Sequence, residues 1–248
     1  MPAETLSHIQ VVNSALPQAP FYIPATGPAT RPRRALKHGD TFAVMDSHGD
    51  MGASAGGPDG LFHADTRFLS HLELRLNGKQ PLLLGSNVRD DNTLLAVDLT
   101  NPDLFVGEKI VLQKDLVHVA RTIFLWKGTA YQRIALRNHS LEPIEITLSL
   151  RFDNDFADLF EVRGEKRARR GQVTRAVIPD TNQVLFSYKG LDDAWRRTTM
   201  TFDPQPDILE VNSVVYRLAL APHESRPIFM LVSCREAVED QPLPFLRG

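Results

Sequence analysis

Asp153, Asp155, Asp158 and Glu161 fall in one short run of the chain, FDNDFADLFEVRG, interleaved with Phe156, Leu159 and Phe160. Carboxylates at that density admit four readings. Calcium needs the ordered loop D-x-[DN]-x-[DN]-G, but Ala157 stands at the third ligand position and Asp158 where the glycine belongs, so the pattern fails. A glycosidase needs two carboxyl groups roughly 5 to 10 Å apart, which a run of this length can supply. Sugar recognition or a domain interface would use carboxylates to accept from hydroxyls and aromatic rings to cover apolar faces. The last reading is structural: Phe156, Leu159 and Phe160 at i, i+3 and i+4 make one buried helical face, capped by Asp153 or Asp155.

A second constellation lies in GLFHADTRFLS, where Asp65 and Arg67 are two residues apart. On a strand they share a face, so they could pair with each other as a salt bridge or point into one site. Arg121, followed by Phe124 and Trp126, reads either as a sugar-facing stripe or as core and rim packing. The eight histidines have no close metal-ligand spacing, and no metal or cofactor is expected. The glycines of Gly49 to Gly60 are not followed by Gly-Lys-Ser/Thr, and no G-x-S-x-G elbow occurs. No residue is assigned a catalytic role. The basic run Lys166, Arg167, Arg169 and Arg170 reads as a solvated loop or as a surface for a negatively charged partner domain.

The element that must position the acids is the stretch before them. Ile144, Ile146, Leu148, Leu150 and Phe152 alternate with Glu145, Thr147, Ser149 and Arg151, the period of a strand with one buried face. The same texture predicts strands at 41–45, 93–99, 110–113, 116–126, 131–137, 172–178, 183–188, 197–202, 213–220 and 226–234. Asn77-Gly78, leading into PLLLG, predicts a hairpin. About a dozen strands with almost no helical period predict an all-β fold: a large antiparallel β-sandwich of supersandwich type with one or two short helical turns. Six prolines before residue 36 predict an extended arm over 1–36, followed by the sandwich over 37–235 and a linker over 236–248.

A net charge of −2 and a pI near 6.4 exclude a general polyanion binder, so nucleic acid is not an expected partner. One cysteine, Cys234 among Met230, Leu231 and Val232, excludes an internal disulfide framework and predicts a buried thiol in a reducing compartment. No basic segment followed by an apolar run opens the chain, and no window approaches the roughly 20 apolar residues that cross a bilayer. A cytoplasmic chain without a membrane partner is the expectation.

GLFHADTRFLSHLELRLNG, DNTLLAVDLTNPDL and above all FDNDFADLFEVRG resemble the N-terminal domain of bacterial glycogen debranching enzymes of the amylo-α-1,6-glucosidase type, over about Phe42 to Cys234. The resemblance implies a β-sandwich that precedes an (α/α) toroid carrying the general acid and base. This sequence contains no helical half. The chain alone is then expected to be non-catalytic, packing on that toroid and lending loops to the rim of its α-glucan cleft. By position the rim residues are Asp65, Arg67, Asp155, Asp158, Glu161 and Arg163, with Trp126 as a further sugar or interface contact. Two other readings stand beside it. One is a stand-alone carbohydrate-binding domain using Trp126 and Phe156. The other is a sandwich enzyme like sugar mutarotases or epimerases, with His118 and Glu161 as its acid–base pair.

Overall fold

The computed structural model describes residues 33–52 and 57–234. Along them run β1 (Arg34–His38), β2 (Thr41–Met45), β3 (Gly60–His63), β4 (Thr66–Leu69), β5 (His71–Leu76) and β6 (Leu82–Val88). Next come β7 (Leu94–Thr100), β8 (Leu104–Val106), β9 (Lys109–Leu112), β10 (Val117–Trp126), β11 (Thr129–Asn138) and β12 (Ile144–Asp153). After one helical turn, α1 (Leu159–Val162), follow β13 (Gln172–Ile178), a 3-10 turn (Pro179–Thr181), β14 (Gln183–Lys189), β15 (Trp195–Asp203), β16 (Ile208–Leu209), β17 (Ser213–Leu220) and β18 (Ser225–Ser233).

An eight-stranded sheet in the order β13-β14-β15-β18-β11-β10-β7-β6 forms one layer. Two four-stranded sheets, β16-β17-β12-β5 and β1-β2-β3-β4, pack on it, and β8-β9 is a separate hairpin. Neighbouring strands pair antiparallel throughout. Alternation dictates the layering. In β12 the apolar residues Ile144 to Phe152 are buried, and Phe152 reaches across to Phe186 on β14 and Phe202 on β15, with ring centroids 6.2 and 5.8 Å away. Thr198 of β15 donates to Phe68 O on β4 at 2.8 Å, tying the second four-stranded sheet to the same layer. The fold is the expected all-β sandwich, with α1 and the 3-10 turn as its short helical turns.

The hairpin expected at Asn77-Gly78 stops almost as it starts. The turn forms, with φ of 48° and 74° and Leu76 and Lys79 exchanging backbone hydrogen bonds, but β5 pairs with β12 and β6 with β7. Pro81 has no N–H to continue the ladder, so the chain crosses between layers there. Of the expected arm, residues 1–32 lie outside the described residues, while β1 already begins at Arg34. The expected linker, 236–248, lies outside them entirely. Cys234 is buried. Among the described residues no helix is long and apolar enough to cross a membrane.

Candidate functional site

The end of β12 meets the β3–β4 hairpin through one guanidinium. Arg67, on a strand whose four residues are all buried, donates from Nε to Asp155 Oδ1 at 3.1 Å and from Nη2 to Asp155 Oδ2. Its Nη1 donates to Gly57 O and Asp59 O at 2.8 and 3.1 Å. Its backbone N–H donates to Ala157 O at 2.8 Å, and Leu159 N–H donates to Asp65 O at 3.1 Å. Space for the guanidinium depends on Gly60, at φ +148°, where a Cβ would stand 2.6 Å from both Arg67 Cδ and Leu69 O. Arg67 and Asp65 therefore do not pair. Ala64 and Asp65 form the hairpin turn at φ 44° and 61°, leaving Asp65 exposed, and the partner of Arg67 lies 88 residues along the chain.

Beyond Asp155 the chain turns at Phe156, whose φ of 48° precludes an earlier helix start. The cap of α1 is consequently Asp158, not Asp153 or Asp155. Asp158 Oδ1 accepts from the N–H groups of Phe160 and Glu161, each at 2.9 Å, and Glu161 Oε2 accepts from Asp158 N–H at 3.2 Å. This reciprocal box satisfies donors at the start of the turn. Partial burial opposes ionisation of Asp158, yet the N–H groups of Glu161 and Phe160 and the Arg167 guanidinium together hold its carboxyl below the ordinary value. Phe156 is buried beside Phe68 and Tyr188, whereas Leu159 is half-buried and Phe160 is 57% exposed, so of the expected face only Phe156 is buried.

The basic loop after α1 folds back over these acids. Arg167 pairs with Asp158, Arg170 Nε lies 3.3 Å from Glu161 Oε1, and Arg170 Nη2 donates to Asp155 O at 2.5 Å. Between this loop and β14 opens a pocket of about 250 Å³, with Tyr188 stacked on Phe156 at 5.3 Å. Arg163 stays exposed outside the pocket lining, its backbone N–H closing α1 on Leu159 O and Phe160 O. Asp155, Asp158, Glu161 and Arg67 thus form one connected cluster, with Asp65 at its edge.

Trp126 and His118 lie elsewhere. Trp126, 49% exposed and packed against His38 with ring centroids 4.6 Å apart, ends β10, which is separated from β14 by four strand spacings, about 19 Å. His118 sits opposite Arg137 at the other end of β10, its Nε2 2.9 Å from Asp98 Oδ1. That end is roughly 26 Å from Trp126 along the strand, and the hairpin register carries it further from α1, so His118 and Glu161 are not an acid–base pair.

Arg121 occupies the inward phase of β10 with Val117, Val119, Ile123 and Leu125, while Phe124 and Trp126 face the other way. The three residues do not make a stripe. Arg121 is buried, donating from Nη1 to Asp50 Oδ1 at 2.5 Å and to His48 O at 2.8 Å, and from Nε to Gln132 Oε1 at 3.2 Å. Burial pushes the Asp50 carboxyl up to about 6, with Arg121 pulling the other way. Asp50 was not singled out in the sequence. The readable signal was a cation on the core phase of an amphipathic strand, which requires a buried counter-charge.

Residues 36–230 match the family model described as the N-terminal domain of some glycogen debranching enzymes. The chain belongs to that family. A search of curated proteins finds no match. Among solved structures, a chain assigned as a kojibiose phosphorylase from the human microbiome is 14% identical at a TM-score of 0.49, matched by 80% of this chain over 29% of its own. One assigned as an aldose 1-epimerase from Escherichia coli K12 is 10% identical at 0.45, with 82% and 98% covered. A heparan sulfate lyase mutant from Pedobacter heparinus is 9% identical at 0.41, with 78% and 33% covered. Likenesses at these scores say nothing of chemistry in this debranching-enzyme N-terminal domain.

Proposed function

We propose that the chain is a non-catalytic β-sandwich module of a glycogen-debranching-type glycoside hydrolase, packing on an (α/α) toroid catalytic domain and shaping the rim of its α-glucan cleft. The observation that carries this reading is an apolar surface at one edge of the sandwich. Leu82, Leu83 and Leu84 on edge strand β6, and Phe105, Val106, Ile110 and Val111 on β8–β9, are each 39% to 68% exposed. The two groups adjoin, since Lys79 Nζ donates to Asp103 O at 3.0 Å and lies 5.3 Å from the Phe105 ring centroid. Monomers rarely leave so many large apolar groups together on an unpaired sheet edge, because both features invite association. A large domain covering them removes the liability.

In this reading Arg67 with Asp155, and Asp158 with Glu161, fix the loop geometry from within, while the exposed Asp65 and Arg163 reach toward the glucan. The test is association with the toroid domain, supplied on the same or a separate chain. Leu84→Asp combined with Phe105→Asp weakens it at least tenfold while the sandwich keeps its melting temperature. Undiminished association would overturn the docking face.

Exposure of Trp126 favours a second reading, a stand-alone carbohydrate-binding domain. Titration with maltooligosaccharides then gives heat that Trp126→Ala abolishes, and no heat from the native chain contradicts it.

A further inference from the structure

The geometry points to a binding site for a phosphorylated monosaccharide in the pocket between the 164–171 loop and the β14–β15 turn. Four arginines line that pocket, Arg167, Arg169, Arg170 and Arg196, against three carboxylates. Each carboxylate is already matched: Asp158 to Arg167, Glu161 to Arg170, and Asp192 to Arg196 at 2.9 Å. These pairs hold three guanidiniums around the space, and each guanidinium carries five N–H donors, more than one carboxylate consumes. Arg169 lines the same space and joins none of the ion pairs among the described residues. The surplus charge suits an anion with several acceptor oxygens, and a phosphate group, two of whose oxygens match the planar fork of a guanidinium, is such an anion.

The rest of the wall calls for more than phosphate. Tyr188, backed by the buried Phe156, and the exposed Leu191 give an apolar face beside the Thr66 side chain, the combination that holds a sugar ring. At about 250 Å³ the pocket falls just below the usual range for ligand sites and takes one small molecule. A neutral sugar makes no use of the charge of Arg169, and inorganic phosphate makes none of the apolar wall. This site goes beyond the docking reading and is independent of it: six strand spacings, about 29 Å, separate β14 from the apolar edge at β6.

Calorimetric titration of the full chain with glucose 1-phosphate, glucose and inorganic phosphate tests the inference. Glucose 1-phosphate binds at least tenfold more tightly than either of the others, and its affinity falls as salt is raised. Arg169→Ala weakens it roughly tenfold or more, and Arg169→Lys weakens it less. Thermal unfolding of both variants matches the native chain, because Arg169 is exposed and unpaired among the described residues. The inference is overturned if glucose 1-phosphate fails to bind at millimolar concentration, if Arg169→Ala binds it equally, or if glucose or inorganic phosphate binds as tightly.

Discussion

Arg67 ties the segment ahead of β3 to the segment after β12 with a single guanidinium. Truncation to alanine leaves Asp155 without its charged partner and two carbonyls without this donor, and breaking a largely buried pair from one side costs about 2–4 kcal/mol. Urea unfolding of Arg67→Ala should show that loss, with Arg67→Lys recovering only part because an ammonium lacks the fork. A change below about 1 kcal/mol would show that the node is not structural. Asp50 gives a pH signature. Its folded-state pKa of about 6 lies above the ordinary 3.8, so the folded chain holds that proton more tightly. The resulting stability is complete below pH 4 and lost as pH rises through 6, amounting to roughly 3 kcal/mol at most. Relative to Asp50→Asn, which cannot titrate, the native chain should therefore lose stability between pH 4 and 6. A flat difference across that window contradicts the assignment. Neither pair was legible as a pair in the sequence. Arg67 could be seen near Asp65, but local spacing does not reveal a partner 88 residues away.

At the scale of elements, α1 is only one turn long and depends on its cap. Asp158→Ala removes the acceptor for two N–H groups and should cost about 1 kcal/mol, seen as faster amide exchange over 160–164. Because its carboxyl is held below the ordinary value, the cap's contribution is present at neutral pH and fades as the solution is acidified through that lowered pKa. Gly60→Ala is expected to be more severe: a Cβ there meets a backbone carbonyl as well as Arg67, in a conformation that L side chains avoid. A loss of about 2 kcal/mol or more in urea unfolding is the expected outcome. Strand identity was readable at this scale. The alternation in Ile144–Phe152 and in Val214, Tyr216, Leu218 and Leu220 corresponds to β12 and β17, which pair with each other. A period of two tells which face is buried without saying which strand lies alongside. Hence Asn77-Gly78 signalled a turn correctly and the wrong neighbour for β5.

The whole molecule repeats that lesson. Composition and patterning establish an antiparallel sandwich. The eight-stranded order and the convergence of the basic loop on the acids depend on long-range pairings that the pattern leaves open. The apolar edge at β6 and β8–β9 emerges only once the layers are assembled, because PLLLG taken alone looks like any buried strand. Leu83→Lys with Leu84→Lys should reduce self-association of the isolated chain in sedimentation measurements without shifting its melting temperature. The most direct test of a non-catalytic module is glucose release from an α-1,6-branched glucan, measured for the purified chain alone and for the chain combined with an (α/α) toroid domain. Release is expected from the combination only. Turnover by the chain alone, persisting through repurification, would contradict the account.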